Sequence, residues 1–194
     1  MKKIVCLFLI FACLFSFQAY ADSASPSFRY DLTFDSTLED IIKAEGMDPT
    51  YSILNYVLYQ GMETAGMDSQ IFYIMDDDGT ISMCAIYIEE KHTEEQLHVF
   101  DYNKIDELLI EKYGAPSNPK EITYFDDLFE DNPDKLGLAI CCGDALVTTR
   151  WELDGLHIVH GLSGDNYEFS HLITYTSVPL EEQNLRSSSK GSGL

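Results

Sequence analysis

The chain has 194 residues and is strongly acidic, because 33 Asp and Glu residues against 12 Lys and Arg give a formal net charge of −21 at pH 7. Recognition of phosphate and of anionic lipid needs clustered basic side chains, so nucleic acid and anionic membrane surfaces are excluded as favoured partners. The charge favours solubility and, if there is a partner, a protein or peptide with a basic surface.

The first 21 residues have the three-part pattern of a secretory signal peptide. Lys2 and Lys3 precede an apolar run over residues 4–17, and Ala21 closes an A-x-A cleavage site before Asp22. The run is shorter than the roughly 18 residues that a membrane-spanning helix needs. We therefore expect cleavage between Ala21 and Asp22, a mature chain without a transmembrane segment, and a location outside the cell or in the envelope or periplasm.

Lipidation of Cys13 is the alternative reading of this segment. Cys13 follows a short sequence that resembles a bacterial lipobox, although Phe11 stands where a small residue is usual. Cleavage at Ala21 would remove Lys2 and Lys3 and change the formal charge from −21 to −23.

Three of the five cysteines lie beyond residue 21: Cys84 and the adjacent pair Cys141 and Cys142. In an oxidising compartment a disulfide from Cys84 to Cys141 or Cys142 is one expectation, and three buried apolar thiols are the other. The odd number leaves at least one free thiol.

The first half of the mature chain predicts one helix and three strands. After a lead-in over 22–35, of which the Ser-rich part to Phe28 is expected to be unstructured, Ser36 and Glu39 fit a capping box for a helix over 37–45 that ends at Gly46. Runs rich in Ile, Tyr and Val predict strands at 52–60, 70–76 and 80–89, with a hairpin turn at Asp78-Gly79 in which both residues have positive φ.

The second half has the same order of elements. Thr93 and Gln96 fit a capping box for a helix over 93–113, and an acidic loop follows at 126–133. Strands are predicted at 145–153, 156–162 and 167–175, and the residues 179–194 are predicted to form a flexible tail.

The order of elements predicts an α+β domain over 36–178. Two tandem units, about 36–92 and 93–178, would form one antiparallel sheet with helices on one face. The segments Phe34-Asp35-Ser36, Asp78-Gly79 and Glu111–Pro116, with the strand around Trp151, resemble exported bacterial proteins of unassigned function. Their units are similar to those of the β-lactamase inhibitor protein and of small outer-membrane assembly lipoproteins. The resemblance implies a binding scaffold without catalytic residues to transfer.

Chemical motifs point to neither a cofactor nor a metal. His157 and His160 are three apart on a strand and so point to opposite faces, and His92 and His98 lack the i, i+4 spacing of a zinc pair. Neither a nucleophile elbow nor a glycine-rich phosphate loop is present, and we assign no catalytic residue.

Aromatic residues in the strands are the strongest functional signal. Tyr167, Phe169, Ile173 and Tyr175 share one strand face with His171, which we expect to meet the helices. The candidate binding surface is then built from the strands 52–60 and 70–76, with the residues Tyr56, Tyr59, Phe72 and Tyr73. The sequence favours an exported, non-enzymatic binding protein; the alternatives are an exported hydrolase with a spatially assembled acid or Cys-His site, and an envelope-associated lipoprotein.

We expect the exported protein to begin at Asp22, with no mass added to its N-terminal residue. Mass spectrometry of the product secreted from its native host tests this, with an Ala21→Arg variant as the control that blocks cleavage. A product that begins at an acylated Cys13, or that retains Met1, would contradict the assignment.

Overall fold

The structure, a computed structural model, describes residues 26–178. Within this range one eight-stranded antiparallel sheet carries three α-helices on one face, which confirms the predicted α+β class. The helices are α1 Leu38–Glu45, α2 Glu95–Tyr113 and α3 Leu136–Cys142. The strands are β1 Tyr51–Ile53, β2 Tyr56–Thr64, β3 Met67–Met75, β4 Ile81–Ile88, β5 Asn118–Tyr124, β6 Ala145–Leu153, β7 Leu156–Asp165 and β8 Glu168–Thr176. The predicted signal peptide 1–21, its cleavage site and the tail 179–194 lie outside the described residues.

The strand order is β1-β2-β3-β4-β8-β7-β6-β5. The first half of the chain contributes α1 and then β1 to β4, whereas the second half contributes α2, β5, α3 and then β6 to β8. The last strands of the two halves, β4 and β8, pair with each other. Their register sets Cys84 opposite Tyr175 and Ile88 opposite His171. The centre of the sheet is therefore built from strands that are far apart in sequence.

Side-chain alternation divides the sheet into a covered face and an open face. On the covered face a row of fully or nearly fully buried residues crosses five strands: Tyr73, Cys84, Tyr175, Ile158 and Trp151. The core beneath α1 and the second half of α2 is one cluster, and that beneath α3 and the first half of α2 is a smaller one.

The capping box of α1 is one residue later than predicted. Thr37 is the N-cap, its backbone N–H donates to Asp40 Oδ2 (2.9 Å), and the Asp40 N–H donates to Thr37 Oγ1 (3.4 Å). Ser36 is occupied elsewhere, because its hydroxyl accepts from the Thr33 N–H and its carbonyl accepts from Ile81. The predicted end at Gly46 is correct, since this residue has φ +72°.

The start of α2 lacks the predicted capping box, because Gln96 makes a tertiary contact instead. Its side-chain Oε1 accepts from the Gly137 N–H of α3 (3.1 Å), and Glu94 is the N-cap without a side-chain hydrogen bond. Two elements were not predicted: α3, where Gly137 weakens the helical pattern, and β5, an exposed edge strand that contains Pro119.

The three strands predicted in the first half have different bounds in the structure. The segment 52–60 is two strands, β1 and β2, joined by a tight turn in which Leu54 has φ +55°. Of the turn pair Asp78-Gly79, only Gly79 has positive φ (+81°). The Asp76 carbonyl accepts from the Gly79 N–H (3.0 Å), so the hairpin has a longer loop than the two-residue turn predicted.

The described part of the lead-in, residues 26–35, packs on the domain. Phe28 and Leu32 are buried, which corrects the expectation of an unstructured segment to Phe28. The Phe28 ring lies 5.7 Å from that of Tyr175, and its carbonyl accepts from the Lys112 ammonium and from the Tyr113 hydroxyl.

We expect Gly137→Ala to destabilise the domain, because an added Cβ would stand 2.5 Å from the Glu95 backbone carbon and push α3 from α2. The cost in unfolding free energy should be about 1 to 3 kcal/mol, measured by urea unfolding. In the control Gly161→Ala the nearest atom lies 3.9 Å from the added Cβ. The change in unfolding free energy of this variant should therefore stay within about 0.5 kcal/mol. Equal effects of the two substitutions would contradict the close α2–α3 contact.

Candidate functional site

A cavity of about 520 Å³ lies where β4 ends, α2 begins and β8 begins. Its walls include His92 and His98 beside α2, and Phe169 and His171 from β8. A fourth histidine, His160 of β7, lies directly behind His171. Four of the five histidines of the chain thus meet at one place in the fold.

A hydrogen-bond chain of three buried residues leads to the cavity. Asp106 Oδ1 lies 3.1 Å from His160 Nδ1, and His160 Nε2 lies 2.9 Å from His171 Nε2. An ionised carboxylate only accepts, so His160 donates through Nδ1 and accepts at Nε2 from His171. This assignment makes His171 the Nε2–H tautomer, with the lone pair of Nδ1 free of any hydrogen bond among the described residues. The Tyr102 ring stacks on the His160 ring, with 4.0 Å between the ring centroids, and so stabilises this hydrogen-bond chain.

A second pair of histidines forms the wall on the α2 side. The His98 ring stacks on Phe169 at 3.9 Å and meets the edge of His92 at 4.8 Å. His92 Nε2 lies 2.5 Å from Asp101 Oδ2, which fixes its ring. His98 is buried, and neither of its ring nitrogens has a hydrogen-bond partner among residues 26–178.

Burial keeps the inner histidines neutral. Burial, together with the nearby rings of His160 and His98, lowers the pKa of His171 to about 3. Burial likewise lowers the pKa of His160, although Asp106 opposes the change. The pKa of His98 is lowered by burial and then by His92.

Carboxylates ring the mouth of the cavity. Five of the lining residues are acidic and one is a lysine: Glu89, Glu90, Glu95, Asp101, Glu168 and Lys91. Three of the carboxylates have hydrogen-bond partners. Glu89 accepts from the Gln70 side chain, Glu90 accepts from the Asp68 N–H, and Asp101 is bonded to His92. No hydrogen bond within the described residues holds Glu95 or Glu168, and both side chains are exposed.

Cys141 also lines this cavity, but its surroundings do not activate it as a nucleophile. Burial and the neighbouring Cys142 raise the pKa of its thiol to about 11, and Sγ donates to the Leu138 carbonyl (3.3 Å). No hydrogen bond joins it to a histidine in the part of the chain that the structure describes.

The candidate disulfide is absent, because Cys84, Cys141 and Cys142 are all free thiols. Cys84 lies in the core cluster beneath α1, whereas Cys141 lies on α3 in the wall of the cavity. The two positions belong to different parts of the covered face, which is why the predicted bridge does not form. Burial raises the pKa of Cys84 well above its usual value.

The four residues of the predicted binding surface lie on two different faces of the sheet. Tyr56 and Phe72 lie on the open face, where Tyr56 is 57% exposed. Tyr59 and Tyr73 are fully buried on the covered face. Tyr59 is an odd number of positions from Tyr56, as Tyr73 is from Phe72, and such residues point to opposite faces of a strand. The Tyr73 hydroxyl donates to Glu45 Oε1 (2.5 Å), and that carboxylate also pairs with Arg29 (2.8 Å).

An apolar area extends across the open face around Tyr56 and Phe72. We call it the open-face patch; its residues are Tyr51, Ile53, Tyr56, Leu58, Phe72, Ile74, Met83 and Ala85. The members on β1 and at the start of β2 are exposed, and the others are half-buried although no helix of residues 26–178 covers them. Leu54 at the tip of the adjoining turn is 96% exposed.

The expectation that the aromatic face of β8 meets the helices is confirmed for Phe169 and Tyr175, which contact His98 and Tyr113. Tyr167 is the exception, since it lies in the β7–β8 turn with φ +67° and is 72% exposed. His157 and His160 do point to opposite faces. The partnership of His160 with His171 was missed, because it depends on the β7–β8 register.

Within residues 26–178, no group of three or more His, Cys, Asp and Glu side chains has an arrangement that could hold a metal ion. None of the helices in the same range is both long and apolar enough to cross a membrane.

Comparisons with known proteins add little. No protein-family model and no curated protein matches the sequence. A solved structure that is similar is that of a DUF4309 family protein (YjgB) from Bacillus subtilis subsp. subtilis str. 168, with 15% sequence identity. The match covers 75% of this chain and 81% of that one, with a TM-score of 0.39. A likeness at this level carries no argument about function, and no link to the β-lactamase inhibitor protein or to assembly lipoproteins emerges.

We expect acid to destabilise the domain through His171. In the folded state its pKa is about 3, against about 6.5 in an unfolded chain, so below pH 6.5 the unfolded chain binds a proton that the folded chain does not. This contribution is complete above pH 6.5 and is lost as the pH falls towards 3. The difference in unfolding free energy between wild type and His171→Gln should therefore shrink by up to about 1.4 kcal/mol per pH unit.

Urea unfolding from pH 7.5 to 4 measures this difference, and His157→Gln on the opposite face is the control. A difference that is constant with pH for His171→Gln would show that this ring is not held neutral.

Proposed function

We propose that this protein is an exported binding protein whose open-face patch docks a protein with a basic rim. The single observation that carries the proposal is the contiguous apolar patch on the uncovered sheet face. Large apolar areas that stay exposed on a soluble domain are characteristic of interaction sites. Its aromatic members offer much contact area at a low cost in side-chain entropy.

The charges around the patch decide which partner fits. At one end of the strands lies the turn Asp76–Asp78, and at the other end lie the exposed carboxylates Glu63 and Asp68. A partner with Lys and Arg around an apolar centre would match both the patch and its acidic edges. A second copy of this chain would not, because two copies of net charge −21 repel each other.

The two alternatives receive less support. A Cys-His hydrolase needs a thiol with a low pKa next to a base, and Cys141 has a raised pKa and a carbonyl as its partner. A lipoprotein role depends on Cys13, which lies outside the described residues.

We expect replacement of two exposed patch residues to abolish partner capture without loss of stability. The mature chain is used as bait in the extracellular and envelope fractions of its native host, as wild type and as Ile53→Ser/Tyr56→Ser. Both residues are more than half exposed, so the unfolding free energy should change by no more than about 0.5 kcal/mol per residue. The control Phe125→Ser/Leu128→Ser removes equally exposed apolar residues from the opposite edge of the sheet.

The proposal requires a basic protein that wild type and the control retain and that the patch variant loses. Its association rate with the purified bait should fall as salt is added. Equal capture by all three baits, an acidic partner, or self-association of the bait in light scattering would overturn it.

A further inference from the structure

We propose that the histidine-lined cavity is a binding site for a small organic cation with N–H donors, such as an alkylammonium or a guanidinium. This site is separate from the open-face patch, because its walls come from α2, α3, the loop after β4 and the start of β8. Its volume of about 520 Å³ is within the range of small-molecule pockets.

The inner wall of the cavity offers a hydrogen-bond acceptor, so it favours a ligand that carries a donor. The chain Asp106, His160, His171 fixes His171 as the tautomer with a lone pair on Nδ1. His171 lines the cavity and is 3% exposed, so this acceptor belongs to a buried side chain whose other nitrogen is already used. An N–H group of a ligand would complete the hydrogen bonds of the ring.

The charges and aromatic rings select a cation. Glu95 and Glu168 are exposed lining residues with no hydrogen bond among the described residues, and Lys91 is the lone lysine among the lining residues. The stacked rings of His98 and Phe169 and the ring of Tyr167 provide flat apolar surfaces, on which organic cations are stabilised. An anion would be repelled by the carboxylates.

A bare metal ion fits less well than an organic cation. The described residues contain no group of three or more His, Cys, Asp and Glu side chains with the geometry to hold one. A ligand with its charge at the mouth and an N–H at His171 fits both sets of groups.

Calorimetric titration of the mature protein with 1,5-diaminopentane and with agmatine tests the proposal. Two matched compounds separate the contributions: 1,5-pentanediol has the length without the charge, and 1,5-bis(trimethylammonio)pentane has the length and both charges without an N–H. We expect binding of the two amines at least about tenfold tighter than of either matched compound. Equal affinity for the diol would overturn the charge argument, and equal affinity for the bis-quaternary compound would overturn the role of His171.

Variants locate the site. Glu95→Gln/Glu168→Gln should weaken amine binding about tenfold, whereas Asp131→Asn/Asp134→Asn, which removes the same charge from an exposed loop, should leave it unchanged.

In ¹⁵N spectra of labelled histidine, the Nδ1 resonance of His171 should move towards its protonated position as amine is added. Unchanged affinity in the first variant, or an unmoved resonance, would overturn the site. The Ile53→Ser/Tyr56→Ser variant should still bind amine, so failure of the docking surface and failure of this site are distinguishable.

Discussion

The pairing of β4 with β8 is the constraint on which the rest of the structure depends. It joins strands that are about 90 residues apart, so the entropy of closing that long loop must be offset by the six residue pairs of the ladder and by the core that they create. The register also decides what surrounds the cavity. Because Ile88 lies opposite His171, the chain that leaves β4 runs past His171 and becomes the outer wall.

Covering only one face of the sheet gives adjacent residues different roles. Tyr73 is in the core beside Glu45 and Arg29, while its neighbour Phe72 lies on the open face. A strand position therefore determines whether an aromatic side chain stabilises the fold or is available to a partner. The half-buried residues of the open-face patch gain their partial shielding from one another across the strands rather than from a helix.

Local signals in the sequence predicted the fold class well and the site poorly. Alternation and the glycines after helices gave most elements, because these features act within a few residues. Helix α3 and strand β5 were missed, since Gly137 and Pro119 contradict the local pattern and only tertiary contacts stabilise both elements. The assignment of Tyr59 and Tyr73 to one surface with Tyr56 and Phe72 failed because residues an odd number of positions apart on a strand point to opposite faces.

The cluster of buried histidines costs stability that apolar residues would not. Removing Asp106, His160 and His171 from water is unfavourable, and their mutual hydrogen bonds offset that cost only where each polar atom has a partner. Within this network, His160 is hydrogen-bonded to both Asp106 and His171, and Tyr102 stacks on its ring. Among the described residues the hydrogen bonds end at His171, whose side chain lines the cavity. Because the network ends at a ring that lines the cavity, a hydrogen-bond donor bound there would offset part of the cost of burying it.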